Sequence, residues 1–439
     1  ESKHANLGIS LPGTFEEPFG TLPHAFRQLR NGDTLYLRGG YYALNRAAVL
    51  EDHGEAEGKW LTVSAYPGET PVVDGRGVLF DPRLQPYAEE RNFGPPFQHD
   101  FGVIAVWNSP GHVRIQGLRV QNSRRSGISA HGKRFRTQQR GDRPRHLAIS
   151  FNTLDRTAEM GINIKFWDDV EVVGNRVCRP HSASRVYAVP GSRNHLDYPA
   201  GTPLNKRHHA QEGIDLSGND GFVIAFNEVY GGGKEAIDCI SVRNGVIHNN
   251  TVHNSLNGIY IDSWSVPIAD LKIYRNFIYS AFNGIPCSTE GSNDLIDFEI
   301  FENIIVNPHD GGIGISEATY KAKPATIRSH RIFNNTIYRG GGHAAAIGWR
   351  PSGIRVSGFR ENPSFTEVEV TRNIVVDYTR YAFWSNFENL NERGIEFHRN
   401  LAWPESGRDD PRPGFVSGHD RLVDDPRFRD PARGDFRLA

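Results

Sequence analysis

No stretch of 18 apolar residues occurs in the 439-residue chain, so no membrane-spanning helix is expected. Neither sign of charge predominates. Fifty Lys and Arg face 51 Asp and Glu, for a formal net charge of −1, which leaves no basic footprint for nucleic acid. Cysteine is scarce, and the three present, Cys178, Cys239 and Cys287, say little about redox compartment. The sequence opens on Glu1 with neither a Met nor a signal-type apolar segment, which is read as a processed export product, hence a secreted or periplasmic location. Glycine is plentiful at 46 residues, with 26 prolines. Length alone would allow two or three domains.

A repeat organises the chain. Seven times a Gly or Ala is followed by an apolar–outward–apolar triplet: Gly127-Ile128-Ser129-Ala130, Gly161-Ile162-Asn163-Ile164, Gly213-Ile214-Asp215-Leu216, Ala236-Ile237-Asp238-Cys239, Gly258-Ile259-Tyr260-Ile261, Gly284-Ile285-Pro286-Cys287 and Gly312-Ile313-Gly314-Ile315. In phase with it runs an Asn followed two residues later by an aliphatic residue or alanine, at Asn152, Asn175, Asn227, Asn250, Asn276, Asn303, Asn335, Asn373 and Asn400, with a shortest spacing of 23 residues. A period of this size marks a solenoid. Runs such as Val170-Glu171-Val172-Val173 and Phe222-Val223-Ile224-Ala225 alternate as strands do, not as helices.

Two or three strands per turn leave no room for a helix, so each strand should pair in parallel with its copy one turn later, ~4.8 Å away, stacking equivalent side chains in columns. Ile, Leu, Val and Cys form the inward columns. The Asn column reads as a turn ladder, because Asn tolerates left-handed backbone and its amide can bond the Asn above and below. A β-sandwich with Asn at polar turns competes with this reading, but has no need of one residue held in phase. Cys239 and Cys287 share an inward column with Ile261 between them, and a separation of about 10 Å excludes a disulfide.

The repeat covers about 100–402 without a linker, so one elongated domain is expected. Within it, 1–100 form an N-terminal cap and first turns, 101–402 regular coils and 403–439 a tail. Leu22 to Leu29 has helical apolar spacing and precedes the strand Thr34-Leu35-Tyr36-Leu37; a short helix covering the first turn fits a solenoid's need to protect its edge. After Trp403 the sequence becomes Asp-, Arg- and Pro-rich, which predicts an extended tail along the coil.

Gly32-Asp33-Thr34-Leu35-Tyr36-Leu37 with Gly39-Gly40-Tyr41-Tyr42, the in-phase Gly-Ile and Asn repeats, and the ending Asp425-Pro426-Arg427-Phe428 then Gly434-Asp435-Phe436-Arg437-Leu438 resemble secreted bacterial right-handed parallel β-helix carbohydrate-active proteins. The resemblance covers nearly the whole chain and implies an all-β, right-handed parallel β-helix acting on a carbohydrate polymer. Glycoside hydrolases, polysaccharide lyases, alginate epimerases and phage tailspike-like binders share that group, so activity must be argued from the site.

Counting the Gly or Ala as zero, outward position two carries Ser129, Asn163, Asp215, Asp238, Tyr260, Pro286 and Gly314, and position four His131, Lys165, Ser217, Ile240, Asp262, Ser288 and Ser316. Asp stacked over Asp at ~5 Å resists joint ionisation, which argues against an ordinary solvated face. Paired carboxylates suit glycosidic cleavage, one protonating the leaving oxygen and the other activating water or attacking the sugar. Asp215 over Asp238 gives ~5 Å between backbones and Asp238 to Asp262 a diagonal of ~8 Å; the second resembles inverting enzymes. Asp238 with Asp262 is the preferred pair, with Asp215 raising the pKa of Asp238 so that it stays protonated and serves as acid.

Tyr260 and Trp264 flank Asp262 and suit sugar stacking; Trp167 and Trp349 lie near equivalent strand ends, with packing in the core as the plain alternative. Glu317 is an alternative acid. Insertions at about 80–100, 131–145, 181–210 and 350–364 are placed to wall a groove. One of them ends in His208, His209 and Glu212, candidates for hydrogen bonds to substrate. The rival enzyme is a uronate lyase with Lys165 as base and the aspartates as a calcium site, against which no Arg stands in the outward columns so read. Asn307-Pro308-His309-Asp310 echoes an epimerase motif, and is read as chance. Hydrolysis needs no cofactor. A glycan-binding module without catalysis is the non-enzymatic reading.

Overall fold

The computed structural model describes residues 13–54, 58–78, 102–123, 126–132, 143–157, 159–178, 212–232, 234–264, 266–291, 293–317, 325–342, 351–358, 364–387, 389–403, 421–422, 426–433 and 435–438. His208, His209, Trp349 and most of the four insertions lie outside these residues. The chain divides into two compact units, Glu1–Lys234 and Glu235–Ala439.

Each unit is a parallel β-helix built from three sheets, with every turn giving one strand to each. In the first unit a representative turn runs Arg145–Ser150, Thr153–Thr157, Ile162–Lys165, and the next copies of these strands are Asp168–Val173, Arg176–Cys178 and Ile214–Ser217. In the second, Ile268–Tyr274, Phe277–Tyr279 and Asn283–Ser288 are followed by Leu295–Phe301, Ile304–Val306 and Gly311–Glu317. Coiling already begins at Thr34–Leu37, which pairs with Leu61–Ala65.

The Gly of the repeat stands at the start of each third-sheet strand, where at Gly127, Gly161, Gly258, Gly284 and Gly312 a side chain would meet the next rung. A Cβ on Gly284 would lie 2.4 Å from the Gly312 carbonyl oxygen and 2.9 Å from Ile305 Cδ1. The next residue then points into the core, and Ile128, Ile162, Ile214, Ile237, Ile259, Ile285 and Ile313 are wholly buried. Cys239 faces Ile261, which faces Cys287, and all three cysteines are free and buried.

The Asn ladder forms, though not for the backbone reason. In all nine repeats the left-handed residue is the one before the Asn, among them Phe151 (φ 57°), Gly174 (φ 68°), Glu302 (φ 54°) and Arg399 (φ 57°). The Asn is selected by its amide. Asn276 donates both its backbone N–H (3.1 Å) and its Nδ2 (2.9 Å) to Asn303 Oδ1, while Nδ2 also reaches the Ile247 carbonyl at 3.0 Å. The same triple contact recurs at Asn152 and Asn303.

The expected helix is present as α1 (Leu22–Gln28), with the Thr21 hydroxyl accepting the His24 N–H and Leu22, Ala25 and Phe26 buried. The tail retains strands that the sequence reading did not anticipate. Arg421–Leu422 extends the second unit's second sheet, and Phe428–Asp430 pairs with Asp435–Leu438 in an antiparallel ribbon. Phe428 and Phe436 of that ribbon pack on Tyr338 and Val376, so apolar anchors hold an otherwise charged segment to the coil.

A histidine also enters the core. A left-handed Ser329 (φ 57°) breaks the alternation of Thr326–Phe333 and turns His330 inward, against Phe298, whose N–H donates to His330 Nδ1 at 3.2 Å. Burial pushes the imidazole down to about 3. The unfolded chain therefore takes up a proton near pH 6.5 that the fold refuses, so this stability is present above pH 6.5 and declines as pH falls toward 3, by about 3 kcal/mol at pH 4. Chemical denaturation of His330→Gln should show a shallower loss between pH 6.5 and 4 than the native chain; equal slopes would rule the imidazole out.

Candidate active site

The middle rungs of the third sheet carry a cluster of covered charges on their outward face. Charges such as Glu171, Arg176, Lys272 and Arg331 on the first and second sheets are exposed. A group of outward charges in the middle of the third sheet is covered: Asp215 is 1 % exposed, Asp238 2 %, Asp262 5 % and Lys165 6 %. The expected open acidic face is thus a closed polar layer. Burying such groups is costly unless they are paired or hydrogen-bonded.

In the first unit, Ser129, Asn163 and Asp215 stand in one column and His131, Lys165 and Ser217 in the next, as the repeat predicts. Lys165 Nζ reaches diagonally to Asp215 Oδ2 at 3.6 Å, and the Ser217 hydroxyl donates to Asp215 Oδ1 at 3.1 Å. His131 is 1 % exposed and in register with Trp107. Glu212 is buried and accepts from Lys234 Nζ at 3.1 Å. Glu159, which column reading passes over because it sits in the turn before Gly161, joins this group. Burial raises its carboxyl well above the usual range, Glu212 adds to the rise, and Lys165 opposes it. Trp167 is a core residue, wholly buried.

In the second unit, Asp238 faces Tyr260 and Ile240 faces Asp262. Asp262 is therefore one rung and two residues from Asp238, a backbone diagonal of about 8 Å. Tyr260, half-buried between them, donates its hydroxyl to Glu290 Oε1 at 2.5 Å. Burial, then Asp262, then Glu290 hold the phenol far above its ordinary range, so Tyr260 acts here as a neutral donor. Beside Asp262 two loops lock together: Ser263 Oγ donates to the Asn293 carbonyl at 2.6 Å and Asn293 Nδ2 to that of Trp264 at 3.1 Å. Trp264 is 47 % exposed and offers a face for stacking. Alternation turns Glu317 away from Ser316, to a wholly buried position at the strand end, so it does not join the outward group.

Three features escaped the sequence reading. The position just before the Gly or Ala is a further polar column, in which Glu235 Oε1 accepts from Asn257 Nδ2 (3.0 Å), Asn257 Oδ1 from Asn283 Nδ2 (2.9 Å) and Asn283 Oδ1 from the Gly311 N–H (3.2 Å). Glu290 sits in a loop without periodicity. The region 350–364, read as an insertion, contains the strand Ser352–Gly358, and its Arg355 stands opposite Gly314. The outward column does contain an arginine.

With three parallel sheets and these ladders, the chain is a parallel β-helix solenoid. Residues 102–300 match the family model described as the right-handed beta helix region. The chain is 26% identical over 355 residues to the protein YwoF of Bacillus subtilis (strain 168), described as uncharacterized, covering 74% of this chain and 66% of that protein. Among solved structures, the GH136 lacto-N-biosidase of Eubacterium ramulus superposes with a TM-score of 0.51 at 12% identity, covering 89% of this chain and 65% of that one. A family 28 exopolygalacturonase of Yersinia enterocolitica gives 0.48 at 11% identity, with 90% and 75% covered. The chain thus spans just under two thirds of the length of the first two, at 66% and 65%.

Proposed function

We propose that this protein is an exported glycoside hydrolase acting on a poly- or oligosaccharide, with Asp238 and Asp262 as its acid and base. The observation that carries this reading is the register that sets the two outward aspartates on a backbone diagonal of about 8 Å across Tyr260, an arrangement compatible with carboxyl groups spaced for a water between them as in inverting enzymes. The lacto-N-biosidase supports it to the extent that the same fold serves a glycosidase. The scheme calls for no cofactor, and calcium is tested by activity with and without chelator.

The rival elimination would need Lys165 as base, and its Nζ is instead turned to the Asp215 carboxylate at 3.6 Å. Incubation with neutral and uronic polysaccharides decides among the readings. Hydrolysis releases reducing ends without an unsaturated uronate chromophore, elimination gives both, and a pure binder neither. Lys165→Ala that abolishes chromophore formation on a uronate polymer would transfer the assignment to a lyase.

A further inference from the structure

The outward arginine missed by the sequence reading occupies an unusual position. Arg355 stands in the column of Asp238 and Tyr260, between Gly314 on one side and Trp384 on the other. Its guanidinium folds back over the neighbouring strand through space left by two glycines: a Cβ on Gly314 would lie 3.9 Å from both Nε and Nη2, and one on Gly311 3.9 Å from Nη2. Any side chain larger than alanine at position 314 would compete for that space. The group therefore lies at the level of Gly311–Glu317, two rungs or about 10 Å from Tyr260 and three or about 14 Å from Asp238.

Its carboxylate partner among the described residues is Asp310, whose Oδ2 is 3.9 Å from Nη1, beyond hydrogen-bonding distance, and the arginine side chain remains 28% exposed. Burial raises the Asp310 carboxyl toward its neutral form, against the pull of Arg355. A guanidinium has a planar fork suited to a bidentate oxyanion, and here that fork makes no hydrogen bond to a described residue, with only the long ion pair to Asp310. The Ser352 hydroxyl, on the same strand and in register with Gly311, is buried and has no hydrogen-bond partner among the described residues.

We propose that Arg355 is a subsite for the anionic group of an acidic saccharide, a carboxylate or sulfate carried by a sugar residue bound away from the cleaved bond. This rests on the carbohydrate reading of the same face and names its substrate class. Arg355 determines specificity and does not touch the reacting atoms.

Binding is measured calorimetrically with Asp238→Asn protein, so that it is read apart from turnover, against a tetrasaccharide of galacturonic acid, its carboxyl-reduced counterpart and a sulfated tetrasaccharide. At least one acidic ligand should bind about 10- to 100-fold more tightly than the neutral one, with an advantage that shrinks as salt rises. Arg355→Ala should remove that advantage, Arg355→Lys should restore only part of it, and Gly314→Val, which leaves the charge in place, should weaken acidic ligands selectively. A preference for the uronate or for the sulfated ligand tells which anion is taken. Equal affinity for neutral and acidic ligands, no binding of either acidic ligand, or an Arg355→Ala protein that keeps the preference would overturn the assignment. Because the readout is affinity, the subsite can stand even if Asp238→Asn proves active and the hydrolase assignment falls.

Discussion

Asp238→Asn and Asp262→Asn are each expected to reduce the release of reducing ends by about 10²- to 10⁴-fold, the range general acid–base catalysis contributes. Each amide keeps the size of the carboxyl group it replaces while removing its ability to give or take a proton at the sugar. Since both side chains are nearly buried, at 2 % and 5 % exposure, thermal unfolding is the necessary companion measurement, and the midpoint should move by only a few degrees (about 1 kcal/mol). Wild-type turnover in both variants would remove the carboxylate pair from the mechanism.

The two variants should also separate by role. A substrate with an activated aryl leaving group needs little protonation, so it rescues loss of the acid and not loss of the base. Whichever variant regains activity on the aryl glycoside has lost the acid. Tyr260→Phe is informative beside them: the phenol donates a hydrogen bond to Glu290 Oε1 at 2.5 Å, so its removal frees Glu290 and loosens the strand position between the two aspartates. A loss well below that of the aspartate variants fits a positioning residue.

Phase was legible in the sequence because two independent repeats, the corner Gly and the ladder Asn, count the same turns. That correctly placed Asp215 against Asn163, Tyr260 against Asp238 and the diagonal to Asp262. What phase does not carry is cover. Alternation tells which side a residue faces, and cannot tell that Lys165 and Asp215 lie under other chain and must neutralise each other. Glu159 and Glu290 were illegible for a related reason, since they belong to turns and loops whose lengths vary from rung to rung. Arg355 was different. Gly353-Ile354-Arg355-Val356 carries the Gly-Ile signature in full, and was lost because the preceding segment disrupts the spacing. The left-handed residue before each ladder Asn was hidden too, because Phe, Arg and Glu give no hint of that conformation.

Asn303→Ala should be among the most damaging single changes in the second unit. Its side chain makes four contacts while wholly buried: Oδ1 accepts from Asn276 N (3.1 Å) and Asn276 Nδ2 (2.9 Å), and Nδ2 donates to Ile273 O and Asn335 Oδ1, both at 2.9 Å. Alanine leaves the Asn276 backbone N–H and the Ile273 carbonyl buried without these partners, at about 1–3 kcal/mol each, for a loss of about 4 kcal/mol. Asn303→Asp should be no better, because it retains the acceptor but sets a buried carboxylate against two oxygens. The adjacent Glu302 provides the internal control. It holds φ 54° and pairs with Arg275 in an exposed contact, so in Glu302→Gly the relief of left-handed strain and the greater freedom of the unfolded chain nearly cancel, leaving under about 1 kcal/mol. Equilibrium denaturation of the pair tests whether the amide or the turn conformation is what each repeat selects. Equal losses at 302 and 303 would mean that the ladder of amides is incidental to the coil.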